Sequence, residues 1–382
     1  MIYLDHHSTS PPHPAAVAAM RRWWSDDWAN PHSDHAAGRE VAAAHQTAAE
    51  QLAGLVGVSA DRMVFTSGAT ESVNLAIRGF ATHPRQRRRQ ILVSSVEHPC
   101  VLEVADSLAG EGFEVSRLPV DSKGRIDLDV LKESLTDQTA LVSVGLGNNE
   151  IGTLEDVSAI AAVTRDRGAV VHVDATQSFG RLPIDVVELG ADLLSASAHK
   201  IGGPPGVGLL AVGGAGRRVR LRPLIVGGGQ QGGLRGGTVN AAGVIAFAAA
   251  ATADRDTAAV RNHRDELWRR LSAAVAGLEL NGPPLTDTDR LPGNLNVRLP
   301  GVEGAGLMAD CPTVAFSTGS ACSSTSDRPS HVLRAIGLSD DEARRSVRFG
   351  LDETTTEAEI VVAVERLAES YRRLTAGSVT GV

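Results

Sequence analysis

A chain of 382 residues is too long for one small core, so two domains or one large α/β domain with an appendage are expected. Its 42% hydrophobic content is that of an ordinary globular protein, and a net charge of −8 offers no global basic field to nucleic acid or an anionic membrane. Three dispersed cysteines, Cys100, Cys311 and Cys322, form no CxxC pair and no zinc spacing, which argues against a disulfide scaffold and for free thiols in a reducing compartment.

The opening, Met1-Ile2-Tyr3-Leu4-Asp5, meets an acid at once and has no charged stretch ahead of an apolar core. No secretory leader is expected, and the chain reads as cytoplasmic. Residues 1–14 are extended and proline-rich. His6, His7 and His13, then His32 and His35, raise the question of a metal, but no acid or cysteine follows at ligand spacing and none is expected. An alanine-rich helix runs from Ala36 to Val56 and is stopped by Gly57.

Met63-Val64-Phe65-Thr66 is a strand, and Ser67-Gly68-Ala69-Thr70-Glu71 leads from it into an amphipathic helix carrying Val73, Leu75 and Ile77. Small residues and a hydroxyl at such a turn leave backbone N–H groups free beside the positive end of the helix dipole, a seat for phosphate. The simpler alternative is that Ser67 or Thr70 only caps the helix. The basic run Arg85-Gln86-Arg87-Arg88-Arg89 reads as a solvated loop. Strand Ile91–Ser94 follows, and Val96-Glu97-His98-Pro99-Cys100 opens the next helix.

Strands near 113–117 and 141–144 alternate with helices near 128–135 and 156–167, which means a mostly parallel sheet. Asn148 and Asn149, in the turn Gly147–Gly152, are amides placed to donate to a carboxylate or a ring oxygen. Ala169-Val170-Val171-His172-Val173 is a strand that ends at Asp174, at the carboxyl edge where open α/β sheets bind ligands. Thr176 and Gln177 come next, then a short apolar run and Ser197-Ala198-His199-Lys200. The loop Gly202–Gly208 is too rich in Gly and Pro to be helical. An acid at a strand end and a pinned lysine one βαβ step later suit pyridoxal phosphate, whose ring nitrogen needs an anionic partner and whose aldehyde needs an amine. Taken singly, each could be an ordinary surface charge.

Beyond Gly208 the alternation fades. Gly227–Thr238 is a glycine-dense loop, ending in Arg235 and Thr238, that lets backbone approach a ligand or a neighbouring subunit. One helix from about Val239 to Arg270 is expected to bridge to a second, smaller domain. There Phe316–Ser324 sets Cys322 among small hydroxylic residues, where its sulfur is reachable. Arg344–Gly350 alternates like a strand and puts Ser346 and Arg348 on one face, Arg being suited to bidentate binding of a carboxylate. No GxGxxG after a strand, GxxxxGK[ST] or HExxH occurs, so dinucleotide, P-loop and zincin readings lose their main support.

Taken together, Ser67–Ser72, Glu97-His98, Asn148–Gly152, His172–Gln177, His199-Lys200 and Ser320-Ala321-Cys322 resemble the cysteine desulfurases, pyridoxal-phosphate enzymes of the class V aminotransferase group. The resemblance spans Tyr3 to Phe349. It implies a fold type I α/β architecture with a mostly parallel central sheet and a smaller α+β domain: residues 14–255 form the large cofactor-binding domain, and 1–13 with 256–382 the small domain carrying the cysteine loop. It implies a homodimer in which each active site is completed by the partner's glycine-rich loop.

By that resemblance Lys200 holds the cofactor as a Schiff base, Asp174 pairs with the ring nitrogen, His98 stacks on the ring and Gln177 meets the ring hydroxyl. Ala69 and Asn149 also belong to the cofactor site, and Thr70, Ser197 and His199, with a second copy's Thr238, hold the phosphate; Asn149 and Arg348 hold the substrate carboxylate. The implied reaction converts L-cysteine to L-alanine, with the sulfur retained as a persulfide on Cys322 for an acceptor protein. A selenocysteine lyase or C–S lyase would share the cofactor residues without needing Cys322, and a non-catalytic scaffold would keep only the fold. Iron–sulfur cluster assembly, tRNA thiolation, DNA phosphorothioation and natural-product synthesis all draw on such enzymes, and the chain does not choose among them. No membrane and no direct nucleic-acid partner are expected. The pair His6-His7 is unusual for the group, as are Gln231, Gly232 and Gly236 in the glycine-rich loop.

Overall fold

The computed structural model describes residues 1–214, 216–286, 288–319 and 328–379. The first half runs β1 (Ile2–Tyr3), α1 (Pro14–Arg21), α2 (Ala36–Gly54), β2 (Met63–Thr66), α3 (Ala69–Ala81), β3 (Gln90–Ser94), α4 (Pro99–Ala109), β4 (Glu114–Leu118), α5 (Leu128–Ser134), β5 (Thr139–Gly145), α6 (Val157–Asp166), β6 (Val170–Asp174), β7 (Leu193–Ser197) and β8 (Gly208–Val212). The second half runs α7 (Ala241–Ala251), α8 (Thr257–Ala274), β9 (Glu279–Leu280), β10 (Asn294–Arg298), α9 (Gly304–Asp310), β11 (Val314–Ala315), β12 (Ser317–Thr318), α10 (His331–Ala335), α11 (Asp340–Arg344), β13 (Ser346–Gly350) and α12 (Glu357–Val379).

Seven strands form the central sheet in the order β2-β8-β7-β6-β5-β3-β4. Only β8 runs against the others. Strands of such a sheet are covered on both faces and so read as unbroken apolar runs rather than alternating ones. Alternate residues feed two layers: Leu92, Val142, Val171 and Val173 pack with α2, α6 and α7, whereas Ile91, Val93, Leu141 and Val170 pack with α3 and α4. Because β2, β3, β5, β6 and β7 point the same way, their carboxyl ends share one edge. The turns bearing Ser67, His98, Asn149, Asp174 and Lys200 all leave from that edge.

A four-stranded antiparallel sheet, β12-β13-β10-β9, forms the second unit. Its core joins Leu267, Leu295, Val347, Phe349, Ile360 and Leu367 to Ile2 and Leu4 from the start of the chain. Strand β1 pairs in parallel with β11, and His6 N–H donates to the Gly350 carbonyl at 3.2 Å. A methyl group on Gly350 would lie 2.7 Å from the His7 nitrogen, so only glycine lets the opening segment lie this close.

Three expectations need correction. The single bridging helix over 239–270 is two helices, α7 and α8, because the Asp256 carboxylate accepts from Ala259 N–H at 2.9 Å and starts a new helix there. Strand β8 was hidden behind the glycine- and proline-rich loop that precedes it. Strand β13 begins at Ser346, later than its alternation suggests, since Arg344 closes α11 after the capping box of Ser339 and Glu342. His13 and His35 are helix caps: their ring nitrogens accept from Ala15 N–H at 3.2 Å and Gly38 N–H at 3.1 Å. Among the described residues no helix is long and apolar enough to cross a membrane.

Candidate active site

A cavity of ≈ 430 Å³ opens at the carboxyl edge of the central sheet, within the size range of small-molecule sites. Nine residues expected at the site line it: Ala69, Thr70, His98, Asn149, Asp174, Gln177, Ser197, His199 and Lys200. The chain thus brings together positions up to 131 residues apart, from Ala69 to Lys200.

At one end, β2 turns into α3 through Ser67 and Gly68. Gly68 is the N-cap residue and supplies no side-chain cap. The first-turn N–H groups of α3 therefore face the cavity beside the Ser197 hydroxyl, and a Cβ on Gly68 would lie 3.8 Å from Ser197 Oγ. Gly208 on β8 permits this approach, because a side chain there would strike the Gly68 backbone at 2.6 Å. The simple-cap alternative does not hold: the Glu71 carboxylate reaches back to the Ser67 N–H at 2.7 Å, outside the helix, and its other oxygen takes the Arg235 guanidinium at 3.0 Å. The anion that Arg235 meets is thus this chain's own Glu71.

Asp174 closes β6 and is nearly buried; one carboxylate oxygen accepts from Thr176 N–H at 2.9 Å and from the Thr176 hydroxyl. That fixes its plane. Two residues earlier on the same strand, His172 is wedged between the hydroxyls of Ser143 and Ser195, each at 2.8 Å, and burial lowers its pKa to about 4. His98 caps α4, its Nδ1 accepting from Cys100 N–H at 3.2 Å, so the neutral ring carries its proton on Nε2. Burial holds this imidazole below the ordinary histidine range, against the opposing pull of Asp174.

Lys200 sits on a short 3₁₀ turn after β7. Its ammonium donates to the carbonyls of His7 and Ser8, both at 2.8 Å. His199 beside it has its pKa lowered to about 4, by burial first and the Lys200 charge second. Gln177 reaches the cavity wall, but both ends of its amide also meet His7: His7 Nδ1 donates to Oε1 at 2.9 Å, and Nε2 donates to the His7 carbonyl at 3.0 Å.

Of the two asparagines, Asn148 is spent on backbone. Its Nδ2 donates to the Val96 carbonyl at 2.9 Å and its Oδ1 accepts from Glu150 and Ile151 N–H at 2.9 and 3.0 Å. Asn149 lines the cavity and its carbonyl accepts from Arg348 Nη1 at 3.1 Å. Arg348 stands behind that wall, its Nη2 on Asp5 at 2.9 Å, Ser8 Oγ at 2.7 Å and Ser317 Oγ at 2.8 Å. Thr238 is exposed on the glycine-rich loop and is not part of this chain's cavity wall.

Cys322 lies outside the described residues. The residues on either side of its segment are tied at the base, where Ser330 N–H donates to the Gly319 carbonyl at 2.7 Å. Ser330 Oγ then donates to Glu150 at 2.5 Å, and His331 Nε2 donates to the Glu97 carbonyl at 2.8 Å. The stem of the cysteine segment is thereby anchored to residues adjoining Asn149 and His98.

Three further wall residues, Glu97, Cys100 and Glu155, were given no role from the sequence. Glu97 is buried, accepts from Gly145 N–H at 2.6 Å, and is pushed well above the usual carboxylate range by burial and then by Asp174. Burial likewise raises Glu155 to about 7 and moves the Cys100 thiol up, so Cys100 is not an activated nucleophile. His7 was visible only as an odd neighbour of His6.

The donor set fits pyridoxal phosphate: an uncapped helix start with hydroxyls for a phosphate, a fixed carboxylate for a ring nitrogen, an imidazole for a ring face and one amine for an aldehyde. The model of the family described as aminotransferase class-V matches residues 2–362. The cysteine desulfurase IscS of Rickettsia bellii (strain OSU 85-389) is 40% identical over 380 residues, covering 98% of this chain and 92% of that protein. A probable mitochondrial cysteine desulfurase of Dictyostelium discoideum is 39% identical over 98% of this chain and 83% of its own length. Among solved structures, a NifS-like protein superposes with a TM-score of 0.88 at 32% identity, covering 96% of this chain and 98% of its own. SspA in complex with cysteine superposes with a TM-score of 0.81 at 33% identity, covering 92% and 99%. The chain belongs to the class V aminotransferase family and, within it, to the cysteine desulfurases.

Proposed function

We propose that this cysteine desulfurase works with pyridoxal 5'-phosphate in the cavity at the sheet edge and stores the sulfur of L-cysteine on Cys322. The observation that carries this reading is the meeting of Lys200 and Asp174 in one cavity beside an uncapped helix start. The cofactor, when bound, supplies an aldehyde for an amine and an electron-withdrawing ring that takes up the charge left at the substrate Cα. Asp174 holds the proton of the ring nitrogen. Ala69, Thr70, Ser197 and His199 seat the phosphate, His98 covers a ring face, and Gln177 faces the ring hydroxyl.

Lys200 Nζ removes the Cα proton of the bound L-cysteine, and Asn149 with Arg348 orients its carboxylate. The Cys322 thiolate attacks the substrate sulfur; the S–S bond forms as the Cβ–S bond breaks, and the electron pair stays with the three-carbon skeleton. Protonation at Cβ, and return of a proton to Cα from Lys200 Nζ, completes L-alanine. The persulfide then goes to an acceptor protein, with no outside oxidant needed.

A homodimer is part of the reading. Thr238 is exposed, and so are Leu224, Ile225 and Val226 just before the glycine-rich loop, an apolar run suited to a second copy whose phosphate site Thr238 would complete. Residues 14–255 are the cofactor domain, and 1–13 with 256–382 the domain of the cysteine segment.

The test is Cys322→Ala with L-cysteine and a reductant. Alanine and sulfide release should fall at least about 100-fold while the protein keeps its yellow cofactor. Undiminished release would remove the persulfide step and favour a C–S lyase or selenocysteine lyase.

A further inference from the structure

The His7 imidazole has no part in the chemistry above, yet it is buried beside the site. The residue is 1% exposed, in a segment with little secondary structure of its own. Its carbonyl accepts from both Lys200 Nζ and Gln177 Nε2, at 2.8 and 3.0 Å, while its ring nitrogen Nδ1 lies 2.9 Å from Gln177 Oε1.

Arg181 Nη1 also lies 3.4 Å from His7 Nδ1, but the Gln177 contact is the shorter and decides where the proton sits. A carbonyl on Gln177 Nε2 fixes which end of the amide is nitrogen, so Oε1 must be the atom facing the imidazole. An amide oxygen only accepts there, so His7 carries its proton on Nδ1. The groups around the ring are Arg181, Arg348 and Lys200, all cationic, with Gln177 the neutral partner. Burial first, then Arg181 and Arg348, hold the imidazole well below the ordinary histidine range, so the ring stays neutral and remains a single donor. Its Nε2 has no hydrogen-bond partner among the described residues. An amide gripped at both ends cannot turn over.

We propose that His7 is a positioning residue that locks the Gln177 amide in one orientation, so that the same N–H always remains for the ring hydroxyl of the bound cofactor. The proposal rests on the reading of Gln177 given above. The His7 imidazole acts through Gln177 and touches no reacting atom. The residue's main-chain carbonyl, which serves Lys200, stays in every variant.

An N–H aimed at a ring oxygen favours the oxygen's unprotonated form. Losing it should raise the pH midpoint of the absorption change of the bound cofactor by about 0.5–1 unit, the worth of one hydrogen bond. The experiment titrates the visible spectrum of purified holoenzyme for wild type, Gln177→Leu, His7→Ala, His7→Asn and the double variant His7→Ala/Gln177→Leu. His7→Ala should move the midpoint in the same direction as Gln177→Leu, the double variant should add nothing further, and His7→Asn, which keeps a side-chain N–H donor, should restore part of the shift.

A wild-type midpoint in both His7 variants, with Gln177→Leu shifted, overturns the locking role. An additive double variant overturns it as well. A wild-type midpoint in Gln177→Leu overturns the placement of Gln177 instead. Should His7→Ala fail to fold, His7→Phe, which keeps a ring and lacks the donor, takes its place in both the single and the double variant.

Discussion

Two regions meet at Lys200, and they are built in opposite ways. The carboxyl edge of the central sheet delivers Asp174, His98, Asn149 and Lys200 from strand ends whose flanking residues are buried on both faces. The opening segment from Asp5 to Ser10 has almost no regular structure. It nevertheless contacts Lys200, Gln177, Arg181 and Arg348 through carbonyls, hydroxyls and one imidazole. The edge supplies groups that no other residue type could replace. The strap supplies orientation, most of it through backbone atoms that any residue carries. Substitutions on the edge should therefore abolish steps, and substitutions on the strap should shift constants.

The largest effect is expected at Lys200. Lys200→Ala removes both the amine that secures the cofactor and the base for the Cα proton, and turnover should fall by about 10³–10⁴-fold. Absorbance of the purified protein and alanine release from L-cysteine measure the two losses separately. If the variant kept its colour and turned over within tenfold of wild type, the division between edge and strap would collapse, because the central member of the edge would be dispensable.

Much of that edge was readable from residue order. Apolar runs bounded by turn residues located β2, β3, β5 and β6 to within two residues, and Asp174 and Lys200 stood out because a charge at the end of such a run has a restricted set of uses. The strap was not readable. His7 meets Gln177 across 170 residues, and no periodicity or spacing encodes a contact between a loop imidazole and a distant amide. The glycine-rich loop shows the same limit. Arg235 pointed to an anion, but only the fold shows that Glu71 is that anion. The break between α7 and α8 was missed for a more local reason: Ala248, Ala249, Ala250 and Ala251 favour helix so strongly that the Asp256 cap beyond them was overlooked.

The buried scaffold behind the edge can be tested with acid. His172 is wholly buried and neutral, with its pKa lowered to about 4. The unfolded chain binds a proton at this residue as pH falls below about 6.5, while the folded chain does not until about 4. Its contribution to stability is thus present above pH 6.5, is lost progressively between about 6.5 and 4, and levels off below. Urea unfolding of wild type and His172→Gln at pH 7.5 and 4.5 should show a smaller acid loss in the variant, by about 2 kcal/mol. His7, His98 and His199 shift in the same direction and contribute to both proteins alike, so the difference isolates His172. An equal acid loss would mean that the two serines hold a charged ring, and that the edge rests on a less rigid support than its packing implies.

The smallest effect should come from the strap itself. Ser8 touches the site twice: its carbonyl accepts from Lys200 Nζ at 2.8 Å, and its hydroxyl accepts from Arg348 Nη2 at 2.7 Å. Ser8→Ala deletes the second contact, together with the hydroxyl's 3.3 Å contact to Ser317 Oγ, and keeps the first. Arg348 Nη2 keeps Asp5 and Ser317 and Nη1 keeps the Asn149 carbonyl, so the guanidinium loses one acceptor of four and stays in place. Such a loss is worth about 1 kcal/mol, or about a fivefold rise in KM for L-cysteine, with kcat and the cofactor spectrum unchanged because the carbonyl under Lys200 remains. A fall in kcat at unchanged KM would place Ser8 among the groups acting on the reacting atoms. The strap would then belong with the edge, and backbone orientation would no longer account for what the segment from Asp5 to Ser10 does.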